Sequence, residues 1–216
     1  MTTSPTDAPG AGAAVLRRLR APAAPRPERC TFCGAELPAE HRHLADTAQR
    51  ALACACPACA LLFDRPGAAG GRFRSVPRRY LVDPAHRVDD ADWDALQIPV
   101  STVFFLRNAA LDRLVALYPS PAGPAESELD PSSWQAVLGR TGLAEMLEPD
   151  VEALLLRRAD GVTTCHLVPV DACYELVGRM RLHWQGFDGG PAARAELEGF
   201  FDRLAGLARP LTEDKP

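Results

Sequence analysis

The chain has 216 residues and a net charge of -4, which suits one medium domain or a small module joined to a domain of roughly 100 to 150 residues. Charge is uneven: residues 1–80 hold 12 arginines against 6 acids, and residues 81–216 hold 12 basic residues against 22 acids. No run of about 18 apolar residues occurs, and the opening MTTSPTDAPGAGAAVLRRLR lacks a basic stretch followed by an apolar one, so neither a membrane helix nor a secretory leader is expected.

Residues 1–28 are rich in Ala, Pro and Thr and read as a disordered or loosely docked tail, with one helical turn at residues 15–19. Residues 29–64 form a cysteine module, and Pro66, Gly67, Gly70 and Gly71 make a hinge-like connector to a larger domain over residues 72–209. In that domain residues 98–106 (IPVSTVFFL) and 111–118 (LDRLVALY) read as a hairpin. Residues 118–131 hold four prolines and read as a long, stiff loop. Asp130 caps a helix begun by Pro131 and Trp134, and a second short helix follows around residues 143–147.

Residues 151–157 and 162–170 flank Asp160-Gly161, a hairpin turn signal, and Pro169 ends the second strand or puts it at an edge. Asp171 is placed to cap a helix in which Cys173, Leu176, Val177, Met180 and Trp184 recur at helical spacing. After Gly189-Gly190, a final amphipathic helix carries Leu197, Phe200, Phe201, Leu204 and Leu207. Hairpins and helices in this order, without regular strand-helix-strand alternation, predict an α+β domain beside a small zinc-ribbon-like module.

The cysteines carry the chemistry. Five of the seven fall within thirty positions, as Cys30-x2-Cys33-Gly34 and then Cys54-x-Cys56-Pro57-Ala58-Cys59. In the reducing cytoplasm, the expected compartment, such thiols act as metal ligands before disulfides. A two-residue gap turns both thiolates of a tight turn to one side, and two such turns complete a tetrahedron. The 22 residues between Cys33 and Cys56 suffice for an out-and-back hairpin. The expected ligands are therefore Cys30, Cys33, Cys56 and Cys59, with Cys54 and His43 as alternates and His41 behind them. Zinc is the expected ion; rubredoxin-like iron uses the same ligands, but only Phe32 and Phe63 supply nearby aromatics.

Elsewhere the sequence offers little chemistry. Cys165 and Cys173 read as core, and no G-x-S-x-G, G-x-G-x-x-G or P-loop pattern appears. Asp150 and Glu152, at alternating spacing, read as half of an acid/base or metal pair or as a solvated strand start. The proline-rich stretch 118–128 reads equally as an exposed partner surface and as a rigid connector.

Taken together, C-x2-C-G, HRHL, C-x-C-x2-C before LLF, IPVSTVFF, YPSPAG-x3-S, DVEALL-x-R, VP-x-D-x-CY-x-LVG and W-x-G-x-x-GG resemble an uncharacterised bacterial family, over residues 29–204. Its members are commonly encoded beside nickel-iron hydrogenase structural and maturation genes. The resemblance implies a protein partner among hydrogenase subunits or maturation factors. The family's recurring residues here include His43, Cys54, Tyr118, Ser120, Gly123, Ser127, Asp150, Glu152, Asp171, Tyr174 and Trp184, of which Tyr118, Ser120, Ser127, Asp150 and Glu152 are the candidate binding residues. The expected function is a non-enzymatic accessory role; rubredoxin-like electron transfer or iron-sulfur handling is the alternative. Nucleic-acid binding is disfavoured, because the acidic larger domain repels phosphates within about a Debye length.

Overall fold

A computed structural model describes residues 27–211 of the protein, apart from 66, 129, 187 and 188. The tail and its expected helical turn at 15–19 lie outside the described residues.

The cysteine module is built on a hairpin of β1 (Arg42–Asp46) and β2 (Ala51–Ala55), followed by a one-turn helix α1 (Pro57–Leu61). After a turn at Ala68–Gly71, β3 (Phe73–Ser75) returns to pair antiparallel with β1 and gives the order β2-β1-β3. The module thus runs past residue 64, and the glycines of the connector serve to double the chain back: Gly67, Gly70 and Gly71 all adopt positive φ. Asp46, buried at the end of β1, accepts from the amides of Ala48 and Gln49 and takes a forked ion pair from Arg72, so one carboxylate closes the hairpin turn and fixes the approach to β3.

The larger domain is a seven-stranded sheet in the order β10-β4-β9-β8-β5-β6-β7. Its strands are β4 (Leu81–Val82), β5 (Thr102–Asn108), β6 (Arg113–Ser120), β7 (Gly123–Glu128), β8 (Glu152–Ala159), β9 (Val162–Pro169) and β10 (Arg209–Pro210). All neighbours are antiparallel except β10 and β4. The helices are α2 (Asp90–Ala95), α3 (Pro131–Val137), α4 (Gly142–Met146), α5 (Val170–His183) and α6 (Gly190–Leu207).

Both faces of this sheet are covered, which explains the unbroken apolar runs of its central strands. Successive side chains alternate between faces. Phe104, Leu106 and Leu155 pack with Cys173, Leu176, Phe200 and Leu204 of α5 and α6. Val103, Phe105, Leu154 and Leu156 pack with Trp93, Val137, Leu138 and Leu143 on the other side. Cys165 and Cys173 are buried, one on each face, as expected of core thiols. The hairpin at Asp160-Gly161 forms, with both residues at positive φ as its two-residue turn requires.

Two expectations about these elements need correction, and the alternative left open at Pro169 is decided. The stretch 118–131 is not irregular: β7 pairs with β6 through a two-residue turn at Pro121 and Ala122. Pro119 faces Pro124 directly across that ladder. Opposed residues alternate between bonded and unbonded pairs, and two residues without N–H groups fit the unbonded kind at no cost in ladder bonds. Pro169 does end β9, but β9 lies inside the sheet between β4 and β8 rather than at an edge. Asp171 is not a cap; it sits in the first turn of α5, whose N-cap is Pro169.

Glu152 is no solvated strand start either. Its carboxylate is fully buried and accepts from Arg79 Nε and Nη2 at 2.6 and 2.8 Å and from the Glu148 amide at 3.0 Å. Removing the guanidinium would strand a buried charge. Arg79→Met should therefore lower the unfolding free energy by about 3 kcal/mol, with Glu152→Gln costing less, as read by urea denaturation.

His166, on β9, is buried against Phe201 with Nδ1 lacking any hydrogen-bond partner, and burial pulls its pKa down to about 4. The unfolded chain takes the proton more readily, so this contribution is complete above about pH 6.5 and is lost as pH falls toward 4. The wild type should lose about 3 kcal/mol more stability than His166→Leu across that window, measured as the pH dependence of the urea midpoint.

Candidate metal centre

The first cysteine turn is short and tied down. Cys30 N donates to Ala35 O and Gly34 N to Cys30 O, at 2.8 and 2.9 Å, and Gly34 takes the positive φ that closes such a turn. The amide of Thr31 donates to the carbonyl of Cys54, which fastens this turn to β2. The second turn uses the start of α1. Cys56 is its N-cap, Pro57 occupies the first turn, where a missing N–H costs nothing, and Cys59 N donates to Cys56 Sγ at 3.4 Å.

The hairpin between the turns brings them together. The sulfurs of Cys30, Cys33, Cys56 and Cys59 all lie within 4.8 Å of one another, and Cys33 and Cys56 are 3.8 Å apart. A tetrahedral ion with arms of about 2.3 Å holds its sulfurs about 3.8 Å apart. A disulfide needs about 2.05 Å, and all seven cysteines are free. Four convergent thiols fit a closed tetrathiolate site.

The electrostatics of the bare thiols show what a cation would relieve there. Burial pushes the Cys30 thiol up, but the backbone amides of Cys56, Cys33 and Phe32 and the Cys33 side chain outweigh this and bring it down to about 6. Cys59 is pushed up to about 12 by its hydrogen bond with Cys56, by burial and by the neighbouring thiols. One thiolate forms readily and the last is opposed by its neighbours; a divalent ion removes that opposition.

Beneath the hairpin, Leu44, Ala53, Ala55 and Ala60 pack on Phe32, Phe63 and Phe73. The three rings touch pairwise, with centroids 4.8 to 5.4 Å apart. Phe73 was not counted from the sequence because β3 supplies it from beyond the connector. The ring count thus does not separate zinc from iron.

Cys54 and His43 do not join the four thiols. They are cross-strand partners on the opposite face of the hairpin from Leu44, Ala53 and Ala55, and with His41 they form a second group. The remaining candidates are dispersed. Tyr118, Ser120 and Ser127 lie on the β6–β7 hairpin, where Ser120 Oγ donates to Gly123 O. Glu152 is consumed by Arg79, and Asp150, in a left-handed turn, accepts from the Ala109 amide. Strand register puts Ser120 about six residues, roughly 20 Å, up the sheet from Glu152. These five residues do not form one site.

Sequence reading missed the polar contacts that tie the first part of the chain to the larger domain, because each joins residues far apart in the chain. Arg79 meets Glu152, Arg50 meets Glu126 at 2.8 Å, and His43 meets Asp171 at 2.8 Å. The uneven charge noted above was their signal.

The fold and site describe a two-part α+β protein with a tetracysteine knuckle module packed on a two-faced sheet. Its sequence matches the profile of a family of unknown function, DUF5947, over residues 29–208, and the chain belongs to that family. No curated protein and no solved structure matches it. Among the described residues, no helix is long and apolar enough to cross a membrane.

If the four sulfurs hold one ion, Cys59→Ser should reduce bound metal at this site by at least half, by elemental analysis, and expose residues 29–64 to protease. The large domain's helical signal should stay, because its core is separate.

Proposed function

We propose that this protein is a non-enzymatic, zinc-binding accessory factor that acts through protein contacts, with a nickel-iron hydrogenase subunit or maturation factor as its partner. The observation that carries the metal assignment is the convergence of four thiols with a 3.8 Å Cys33 to Cys56 spacing. Zinc requires only this tetrahedral donor set and brings no redox chemistry of its own. The partner assignment rests on the resemblance of the chain's motifs to a family commonly encoded beside hydrogenase genes.

A recognition surface is at hand on the module itself. Leu61 and Leu62, at the end of α1 and just behind Cys59, are 65% and 70% exposed. A closed metal site holds such a surface rigid, which lowers the entropy lost on binding. Arginines of the module, Arg50 and Arg74 among them, are engaged by carboxylates of the larger domain. That engagement favours a protein partner over a nucleic acid.

The second reading is rubredoxin-like electron transfer, for which the same four thiols serve and which the three-ring cluster in the module's core keeps open. Colour decides between them: protein purified without added metal should be colourless and carry zinc, whereas a red, iron-bearing sample establishes the second reading. The full chain, purified from cells expressing the hydrogenase, should bring down a hydrogenase or maturation component. A Leu61→Glu, Leu62→Glu double variant should recover about tenfold less with unchanged metal content. Recovery of neither class of protein would overturn the partner assignment.

A further inference from the structure

The β1–β2 hairpin carries a second set of metal-binding side chains on the face turned away from its aromatic core. His43 and Cys54 sit directly opposite each other in the ladder, and His41, two positions before His43, shares their side. A ring nitrogen of each histidine and Cys54 Sγ lie within 4.8 Å of one another, and the two imidazole centroids are 4.6 Å apart.

The hydrogen bonds prepare both rings for a ligand. His43 Nδ1 lies 2.8 Å from Asp171 Oδ2 on α5, and His41 Nδ1 lies 3.0 Å from Pro38 O. An imidazole that donates from Nδ1 to an oxygen keeps Nε2 as a bare acceptor, the tautomer that binds metals. His41 Nε2 is buried with no hydrogen-bond partner, on a side chain only 3% exposed. A buried acceptor left without a donor costs free energy unless a ligand satisfies it.

We propose that His41, His43 and Cys54 form a second metal site, separate from the four-cysteine centre, for a divalent cation of the cobalt-to-zinc series. Two imidazoles and a thiolate are the donor set those ions favour. Three protein ligands leave a four-coordinate ion one position for water or an added ligand, the pattern of a reactive or exchanging site rather than a closed structural one. A cleft of about 630 Å³ reaches the two histidines, lined by His41, His43, Arg78, Tyr80 and Asp171. Asp171 acts as a positioning residue, holding the His43 ring from the larger domain.

The test is the zinc content of the full-length chain, equilibrated with zinc and freed of excess by gel filtration. The wild type should retain two ions per chain. Cys54→Ala and His41→Phe should each retain one, and Asp171→Asn should bind the second ion 10- to 100-fold more weakly. Cys59→Ser reports separately on the tetracysteine centre, so loss there with retention at Cys54 and His41 distinguishes failure of one site from failure of the other. The ion retained at the tetracysteine centre, together with unchanged protease resistance of the module, shows that the Cys54→Ala and His41→Phe variants are folded. A wild type holding a single ion, or both Cys54→Ala and His41→Phe still holding two, would overturn the second site.

Discussion

The register of one hairpin, two strands of five residues each, sets which side chains of the module share a face. Pairing His43 with Cys54 and Leu44 with Ala53 sends Leu44, Ala53 and Ala55 into the phenylalanine core and leaves His43, Cys54 and Leu52 to face the larger domain. The same register delivers Cys56 to the end of β2, beside the first cysteine turn that Thr31 fastens to Cys54. Because the strand repeat is two, a slip of one residue would turn Cys54 into the aromatic core and expose its alanine neighbours. Asp46 resists that slip. Its carboxylate satisfies two turn amides and the Arg72 fork at once, and these partners hold it below the ordinary carboxylate range.

Local signals in the sequence were read well wherever the physics was local. Asp160-Gly161 marks its hairpin because both residues must take positive φ, and Asp130 caps its helix by accepting from the Ser133 amide. The cysteine pairs announced their turns for the same reason. Errors arose where a distant partner decided the outcome. The prolines at 119 and 124 argue against a strand when read singly, and fit one only once each is seen to face the other. Glu152 reads as a solvent-facing acid until Arg79, more than seventy positions earlier, is placed beside it. Asp171 has the look of a cap, but its carboxylate is turned toward His43 on the module.

The charge imbalance along the chain acquires a structural meaning from these long-range pairs. The basic first part and the acidic remainder meet along a seam where arginines 50, 74 and 79 approach Glu126, Glu148, Asp150 and Glu152. Exposed pairs of this kind each contribute little. The Arg79 to Glu152 fork is different, since its carboxylate has no access to water. One buried pair thus fixes the chain between module and sheet, while the exposed ones orient the module against it.

A metal ion has unequal importance for the two parts. The sheet buries large side chains on both faces and has a core of its own. The module's core is four small or medium aliphatic residues and three rings, of which Phe32, Phe63 and Phe73 are only partly buried. So small a core offers little to offset the ordering of a loop that includes two cysteine turns, and a cation closing the four thiolates would supply what burial does not. The two cysteine turns and the histidine pair share one hairpin, tied on one side by the Thr31 amide to the Cys54 carbonyl and on the other by His43 to Asp171.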